Sequence, residues 1–409
     1  MTGEQRMRTV AEHLAQALAL VAPLPSVDLP LAEALGRRLT RDVVSGSDLP
    51  RWDNSAMDGY AVRASDTVDA GTLGVRLEVV ADLPAGTAQE PVVLPGTAAR
   101  IMTGAPVPPG ADAVVPVEAT DGGTGTVVVW AAASVGAHIR RAGDDLHAGD
   151  LVVPAGTELG ARQLAAIASV GVASVTVRRR AVVAVVSTGS ELVPAGSPLG
   201  RGQIPDSNSL LLAAALSTAG CEVRRLGGVA DDPAELSRVL DGLDGAVDLV
   251  VTSGGVSMGA YEVVREVLGP LSSMAFVQVA MQPGKPQGLG TLAGGTPILC
   301  LPGNPVSAFV SFEVFVRPLL DRLDGRPAPS PPTLRATVDD EWRTPMGRMQ
   351  YMPVRLTGHE PDLRARRAVP GGSGSHLVAG LARADGLALV PADVERVSAG
   401  DQLEILRTP

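Results

Sequence analysis

Aromatic side chains are nearly missing from this chain: Phe, Tyr and Trp together make 2% of its 409 residues. Its cores must therefore be Val, Leu, Ala and Ile packed closely around Gly. Cysteine is equally scarce. Cys221 and Cys300 sit in apolar stretches and form no CxxC, so they read as reduced core residues of a cytoplasmic protein. A basic stripe is lacking as well, and a net charge of −10 argues against a nucleic-acid or anionic-membrane partner. No stretch approaches the roughly 20 uninterrupted apolar residues of a membrane span. One segment, Leu14 to Leu24 behind Arg6 and Arg8, imitates a secretion signal. It places Ala11, Leu14, Leu18 and Val21 at helical spacing, with Glu12, His13 and Gln16 on the other face, and is expected to be an amphipathic helix. Lysine occurs once, at Lys285. A codon bias toward arginine explains the scarcity; under such a bias the single lysine marks a place where a compact ammonium between two glycine-proline turns is needed.

What is present is enough apolar sequence, 45% of the chain, for two to four domains. Residues 1–45 and 149–178 are expected to form a discontinuous helical or mixed domain, with a short helix near Leu31 to Leu35 and another at about Ala161–Ser169. Residues 46–148 change to short β-runs broken by Gly and Pro, among them Val75–Val80, Ala113–Val117 and Thr126–Trp130, and are expected to be an inserted β domain. Over 179–326, strands Ala181–Ser187, Glu222–Leu226, Val247–Thr252, Phe276–Met281 and Pro297–Leu301 alternate with helices. The helices end at Ala219 before Gly220, begin at Asp232–Pro233, cover Tyr261–Leu268, and run from Val306 to Leu323. Such alternation implies a multidomain α/β protein with a doubly wound, mostly parallel sheet. A proline-rich linker (Pro327 to Pro332) leads to residues 327–409, which show strands and turns only and suggest a terminal β-barrel.

In an open parallel sheet, ligands bind beyond the carboxyl ends of the strands. Here those ends carry Ser187-Thr188-Gly189-Ser190-Glu191, Ser253-Gly254-Gly255-Val256-Ser257, Gln282-Pro283-Gly284-Lys285-Pro286 and Leu301-Pro302-Gly303-Asn304-Pro305. Any one of these alone would pass as an ordinary strand–helix turn. Their recurrence on successive strands, each with a hydroxyl or amide beside the glycine, reads as a phosphate cradle. Neither a P-loop nor a GxGxxG fingerprint occurs, and the five histidines hold no metal-ligand or base spacing. The carboxylates Asp58, Asp144, Asp145, Glu191, Asp231, Asp232 and Glu262 fall in loops or at element ends. A carboxylate about 4 Å from a phosphate is repelled by roughly 4 kcal/mol at an effective dielectric of 20. Acids and an anion can share the site only with a cation such as Mg²⁺ between them, or if the acids bind amino groups instead. Asp232, before Pro233, reads better as a helix cap.

In order along the chain, the runs Asp53-Asn54-Ser55-Ala56-Met57-Asp58-Gly59-Tyr60, Arg100-Ile101-Met102-Thr103-Gly104-Ala105, Ser187-Thr188-Gly189 with Glu191, Ser253-Gly254-Gly255-Val256-Ser257 and Leu301-Pro302-Gly303-Asn304-Pro305-Val306-Ser307 resemble the signatures of the MoeA and gephyrin E-domain family. The resemblance implies an elongated, four-part homodimer whose clefts lie between the α/β domain of one subunit and the β domain of the other. It implies insertion of molybdenum from molybdate into adenylyl-molybdopterin, with Mg²⁺ and release of AMP, and other cofactor-synthesis proteins as further partners. By motif position, Asp58, Thr103 and Asp145 would be catalytic and line the cleft from the inserted β domain. Glu191, Asp231 and Glu262 would be catalytic and the metal-binding acids of the α/β rim. Ser187, Thr188, Gly189, Ser253, Gly254, Gly255, Ser257, Lys285, Pro302, Gly303, Asn304 and Pro305 would bind substrate, with Ser375 added from the terminal barrel. Several positions depart from the family pattern: Ser190 and Glu262 stand where an Asp is common, Gln278 and Gln282 where some members carry lysine, and Pro353 where many carry arginine. Two other activities stay open on the sequence: adenylylation of the pterin, and a gephyrin-like scaffold without catalysis.

Overall fold

The computed structural model describes residues 7–256, 262–326, 333–370 and 372–408. The chain groups into two compact units, Asp28–Val177 and the combination of Met1–Val27 with Arg178–Pro409. Helix α1 (Val10–Ala19) is in the latter and opens with a capping box: Glu12 N donates to Thr9 Oγ1 at 3.1 Å, and Thr9 N to Glu12 Oε2 at 2.8 Å. Its apolar side, continued by Val21 and Leu24, enters the core around Phe312 and Phe315. His13 is an exception to the expected polar face. It stands one helical turn from buried Ala17, is 1% exposed, and meets the Phe315 ring edge-on at 4.6 Å. Burial lowers its pKa to about 3, so the imidazole is neutral.

In the Asp28–Val177 unit, strands β1 (Gly59–Val62), β2 (Val75–Leu83), β3 (Thr97–Ile101), β4 (Ala113–Pro116) and β5 (Thr126–Val129) form a sheet ordered β4-β1-β3-β2-β5. Its pairs are antiparallel except β2–β3. Successive side chains point to opposite faces, so Tyr60, Ala98 and Val115 enter one apolar cluster while Ala61, Ala99 and Val114 enter another. Gly59 permits the central pairing, because a Cβ there would lie 2.0 Å from the Val115 carbonyl oxygen. The helix expected near Leu31 to Leu35 is a single 3₁₀ turn, Leu31–Glu33, confined between Pro30 and the left-handed Gly36. Helix α2 (Ala161–Ser169) lies where the periodicity placed it.

In the other unit the chain runs β6 (Val182–Thr188), α3 (Asn208–Thr218), β7 (Glu222–Val229), α4 (Pro233–Leu243), β8 (Leu249–Ser253), α5 (Val263–Leu268), β9 (Ala275–Gln278), β10 (Pro286–Thr291), β11 (Pro297–Leu301), α6 (Pro305–Ser311) and α7 (Arg317–Leu323). The sheet order is β7-β6-β8-β11-β10-β9. Strands β7, β6, β8 and β11 are parallel; β10 and β9 extend the sheet antiparallel. Val183 and Val185 pack with Leu212 and Leu216 of α3, whereas Ala184 and Val186 pack with Leu236 and Leu240 of α4. Helices therefore cover both faces, as a doubly wound sheet requires. Between α6 and α7 the helix widens to a π turn, in which Arg317 N reaches Phe312 O just before Pro318, a residue with no N–H to give.

Strands β12 (Thr333–Val338), β13 (Met349–Thr357), β14 (Arg364–Arg367), β15 (Gly386–Val390) and β16 (Gln402–Arg407) pair in the order β13-β14-β12-β16-β15, and β15 pairs back to β13. The result is a closed five-stranded barrel filled by Val338, Trp342, Val354, Ala388 and Ile405 among others. The segment Met281–Gln282 adds to β13 as a short parallel strand. The proline-rich linker at 327–332 lies outside the described residues. Among the described residues, no helix is long and apolar enough to cross a membrane.

Candidate functional site

The carboxyl ends of β6, β8 and β11 and the turn after Met281–Gln282 open on one cleft of about 990 Å³. Of the residues proposed from sequence, Ser187, Thr188, Gly189, Glu191, Asp231, Ser253, Gly254, Gly255, Glu262, Lys285, Pro302, Gly303, Asn304, Pro305 and Ser375 line it. Ser257 lies outside the described residues. Each wall has a local cause. Gly254 and Gly255 turn the chain with φ of +99° and +67°, left-handed values at which a side chain would be strained. Asn304 precedes α6 with Pro305 in its first turn; Asn304 Nδ2 donates to Ser375 Oγ at 3.0 Å, and Val306 N donates to Ser375 O at 3.1 Å. A barrel loop is thereby seated on the start of α6.

The rim is partly self-satisfied. Gly189 N donates to Val229 O at 3.2 Å and Gly254 N to Leu301 O at 3.1 Å, so these two amides close their own turns rather than face a ligand. Free capacity comes from side chains instead. Ser187 Oγ, Thr188 Oγ1 and Asn208 Oδ1 are buried without hydrogen-bond partners, and buried polar groups are normally paired. Asn208 is fixed by its other end, Nδ2 donating to Ser253 Oγ at 2.8 Å and to Gly303 O at 2.6 Å.

Acids outnumber permanent cations around the cleft. Glu191, Asp206, Asp231 and Glu262 line it against Lys285 and Arg348. Asp231 is tied to the first loop, accepting from Ser190 N at 2.8 Å while Asp231 N donates to Ser190 Oγ at 3.2 Å. Ser190, one of the departures from the family pattern, thus has a structural task. Asp232 caps α4, accepting from Ala234 N and Glu235 N at 2.8 and 3.0 Å. Gln282 lines the cleft, whereas Gln278 ends β9 and Pro353 is buried in barrel strand β13. Sequence reasoning missed Arg348, Ser373 and His376, which arrive from the barrel, and Asp206 and Asn208 at the start of α3.

Among the described residues, no group of three or more His, Cys, Asp or Glu is arranged to hold a metal ion. Glu191, Asp231 and Glu262 therefore do not make the three-acid cage expected of them. Their chemistry still fits a hard cation, since carboxylates and hydroxyls supply oxygen donors and Mg²⁺ commonly uses one or two carboxylates with substrate oxygens and water. Covalent catalysis by cysteine has no support in the site: burial pushes the thiols of Cys221 and Cys300 up to about 12.

In the other unit, Asp58 and Thr103 are brought together. Asp58 Oδ1 accepts from Thr103 N and from Thr103 Oγ1, each at 2.7 Å. The backbone hydrogen bond, then the hydroxyl, hold the Asp58 carboxyl below the usual carboxylate range. Asp145 lies exposed in the turn after Arg141, where its N–H bonds Leu49 O at 2.9 Å. Asp53 accepts from Ala142 N at 2.9 Å and pairs with Arg141 at 2.5 Å, bracing that turn.

A doubly wound sheet with a glycine-lined cleft, a closed five-stranded barrel and a separate β unit define a multidomain α/β protein. Three family models cover the chain: the MoeA N-terminal region (domain I and II) at residues 8–171, a probable molybdopterin binding domain at 184–322, and the MoeA C-terminal region (domain IV) at 335–407. The chain belongs to the MoeA family. It is 46% identical over 407 residues to Molybdopterin molybdenumtransferase 2 of Mycobacterium tuberculosis, covering 98% of this chain and 99% of that protein. It is 36% identical over 386 residues to Molybdopterin molybdenumtransferase of Haemophilus influenzae, covering 94% of each. The solved molybdopterin biosynthesis MoeA protein from Pyrococcus horikosii superposes with a TM-score of 0.83 at 33% identity, over 98% of this chain and 99% of that one.

Proposed function

We propose that this chain is a molybdopterin molybdenumtransferase, acting in molybdenum-cofactor biosynthesis to insert molybdenum from molybdate into adenylyl-molybdopterin with release of AMP. The observation that carries the reading is the convergence of four strand-end loops on one cleft, with partnerless buried oxygens at Ser187, Thr188 and Asn208. Buried polar groups are normally paired, and a polar ligand would pair these. The named relatives supply its chemical class.

In this reading Ser187, Thr188, Ser253 and Asn304 orient the phosphates and pterin, and Lys285 neutralises part of their charge. Glu191, Asp231 and Glu262 remain as acids beside an anion. One or two of them would hold Mg²⁺, which would supply counter-charge and Lewis-acid polarisation there. The barrel loop at Ser375 closes one wall. Asp58, Thr103 and Asp145 belong to the reading as acids and a hydroxyl from the inserted β domain of a partner subunit, so a homodimer is part of it. So are a cytoplasmic location, further cofactor-synthesis partners, and a four-part chain of residues 1–45 with 149–178, 46–148, 179–326 and 327–409. The experiment is complementation. Expression in a bacterial strain lacking this step is expected to restore nitrate reductase activity; a stable, soluble protein that restores none contradicts the reading.

A further inference from the structure

Three buried groups connect the barrel core to the cleft. Trp342 Nε1 donates to Gln350 Oε1 at 2.9 Å, and Gln350 Nε2 donates to Ser373 Oγ at 3.0 Å. Gln350 is 3% exposed and Ser373 6%. Ser373 lines the cleft; Gln350 and Trp342 do not. Two residues beyond Ser373, the loop docks on α6 through Ser375 and Asn304. Gln350 also stands opposite Gln282 in the parallel pairing that joins the turn of Lys285 to β13. One side chain therefore lies where the barrel meets both cleft walls.

We propose that Gln350 is a positioning residue, holding the loop 373–376 through Ser373 while its strand position registers the Lys285 turn, so that both walls present their polar groups together. The inference rests on the reading of the cleft as the ligand site. A buried amide suits this task because its donor and acceptor ends are fixed in direction, and losing one end strands its partner. Trp342 at the far end makes the linkage observable. The other two tryptophans, Trp52 and Trp130, are each 52% exposed and lie in the Asp28–Val177 unit.

The test uses the full chain carrying Trp52→Phe and Trp130→Phe, with AMP, molybdate and Mg²⁺ as the probe. Calorimetry measures affinity, and Trp342 emission reports the linkage. The probe is expected to bind and to change the emission. Ser373→Ala, which cuts the link at the loop, is expected to weaken binding about five- to ten-fold and to abolish the emission change. Ser373→Thr, which keeps the hydroxyl, restores both. Gln350→Leu gives the same loss as Ser373→Ala, with thermal melting to verify that it folds. Unchanged affinity and emission in Ser373→Ala overturn the positioning role while leaving the cleft assignment intact. A parent protein that binds no probe overturns the cleft assignment and the positioning role with it.

Discussion

Asp58 is held by both a backbone and a side-chain donor of Thr103 on one carboxylate oxygen. Its folded pKa lies below the ordinary value, so the charged form and whatever depends on it are present above that value and lost as pH falls through the lowered one. Thr103→Val removes the hydroxyl bond and keeps the backbone one, so the Asp58 carboxyl is expected to titrate higher than in the parent, readable by NMR titration of its carboxyl carbon. Asp58→Ala is expected to keep the circular dichroism and melting curve of the parent while losing molybdenum insertion; retained activity would remove Asp58 from the site. Lys285→Arg, which exchanges a compact ammonium for a planar fork, is expected to weaken pterin binding about ten-fold in a fluorescence titration. Equal affinity would mean that codon bias alone explains the single lysine. At this scale the sequence was informative where a motif is local, as in Ser253-Gly254-Gly255. Arg348 and Ser373 reach the cleft only through barrel closure, and nothing near them in the chain marks them.

Elements were legible where apolar periodicity was unbroken. Val182 to Val186, a continuous β-branched and alanine run, is a central parallel strand, and α4 starts at its acid and proline. Strand β10, Pro-Gln-Gly-Leu-Gly-Thr, was invisible because its glycines and proline read as a turn. The glycines are there for packing: a Cβ on Gly288 would meet Phe276 Cε1 at 2.8 Å and Cys300 Cβ at 3.0 Å. Missing this strand hid the antiparallel link between β11 and the edge strand β9. The same logic gives a test at the rim. Gly255→Ala puts a side chain in the left-handed region and its Cβ 2.7 Å from Val264 Cγ2, at the buried side of α5. A loss of at least about 1–2 kcal/mol is expected in urea denaturation from the backbone conformation alone. An unchanged midpoint would show that this turn relaxes freely.

For the whole molecule, the alternation of strand-rich and strand–helix segments revealed the α/β sheet and the barrel, but amphipathic spacing could not tell which core α1 enters or that His13 faces it. The proposed sharing of clefts between subunits is a separate matter, and subunit mixing tests it. Asp58→Ala and Glu191→Gln are each expected to be inactive. If the two residues serve one cleft from different chains, a mixed dimer has one intact cleft, and a statistical mixture recovers about one quarter of the parent activity. No recovery, with mixed dimers demonstrated by differential tags, would place both residues in the cleft of one chain or leave one of them outside it.

The central claim is that a glycine-turned rim holds an adenylylated anion whose charge is reconciled with nearby acids by a divalent cation. Its most direct measurement is AMP release from adenylyl-molybdopterin by the purified protein, with molybdate and Mg²⁺ varied independently. Release that requires both, and that chelation abolishes, is the expected result. AMP released at the same rate without molybdate, or undiminished after the divalent cation is removed, would contradict it.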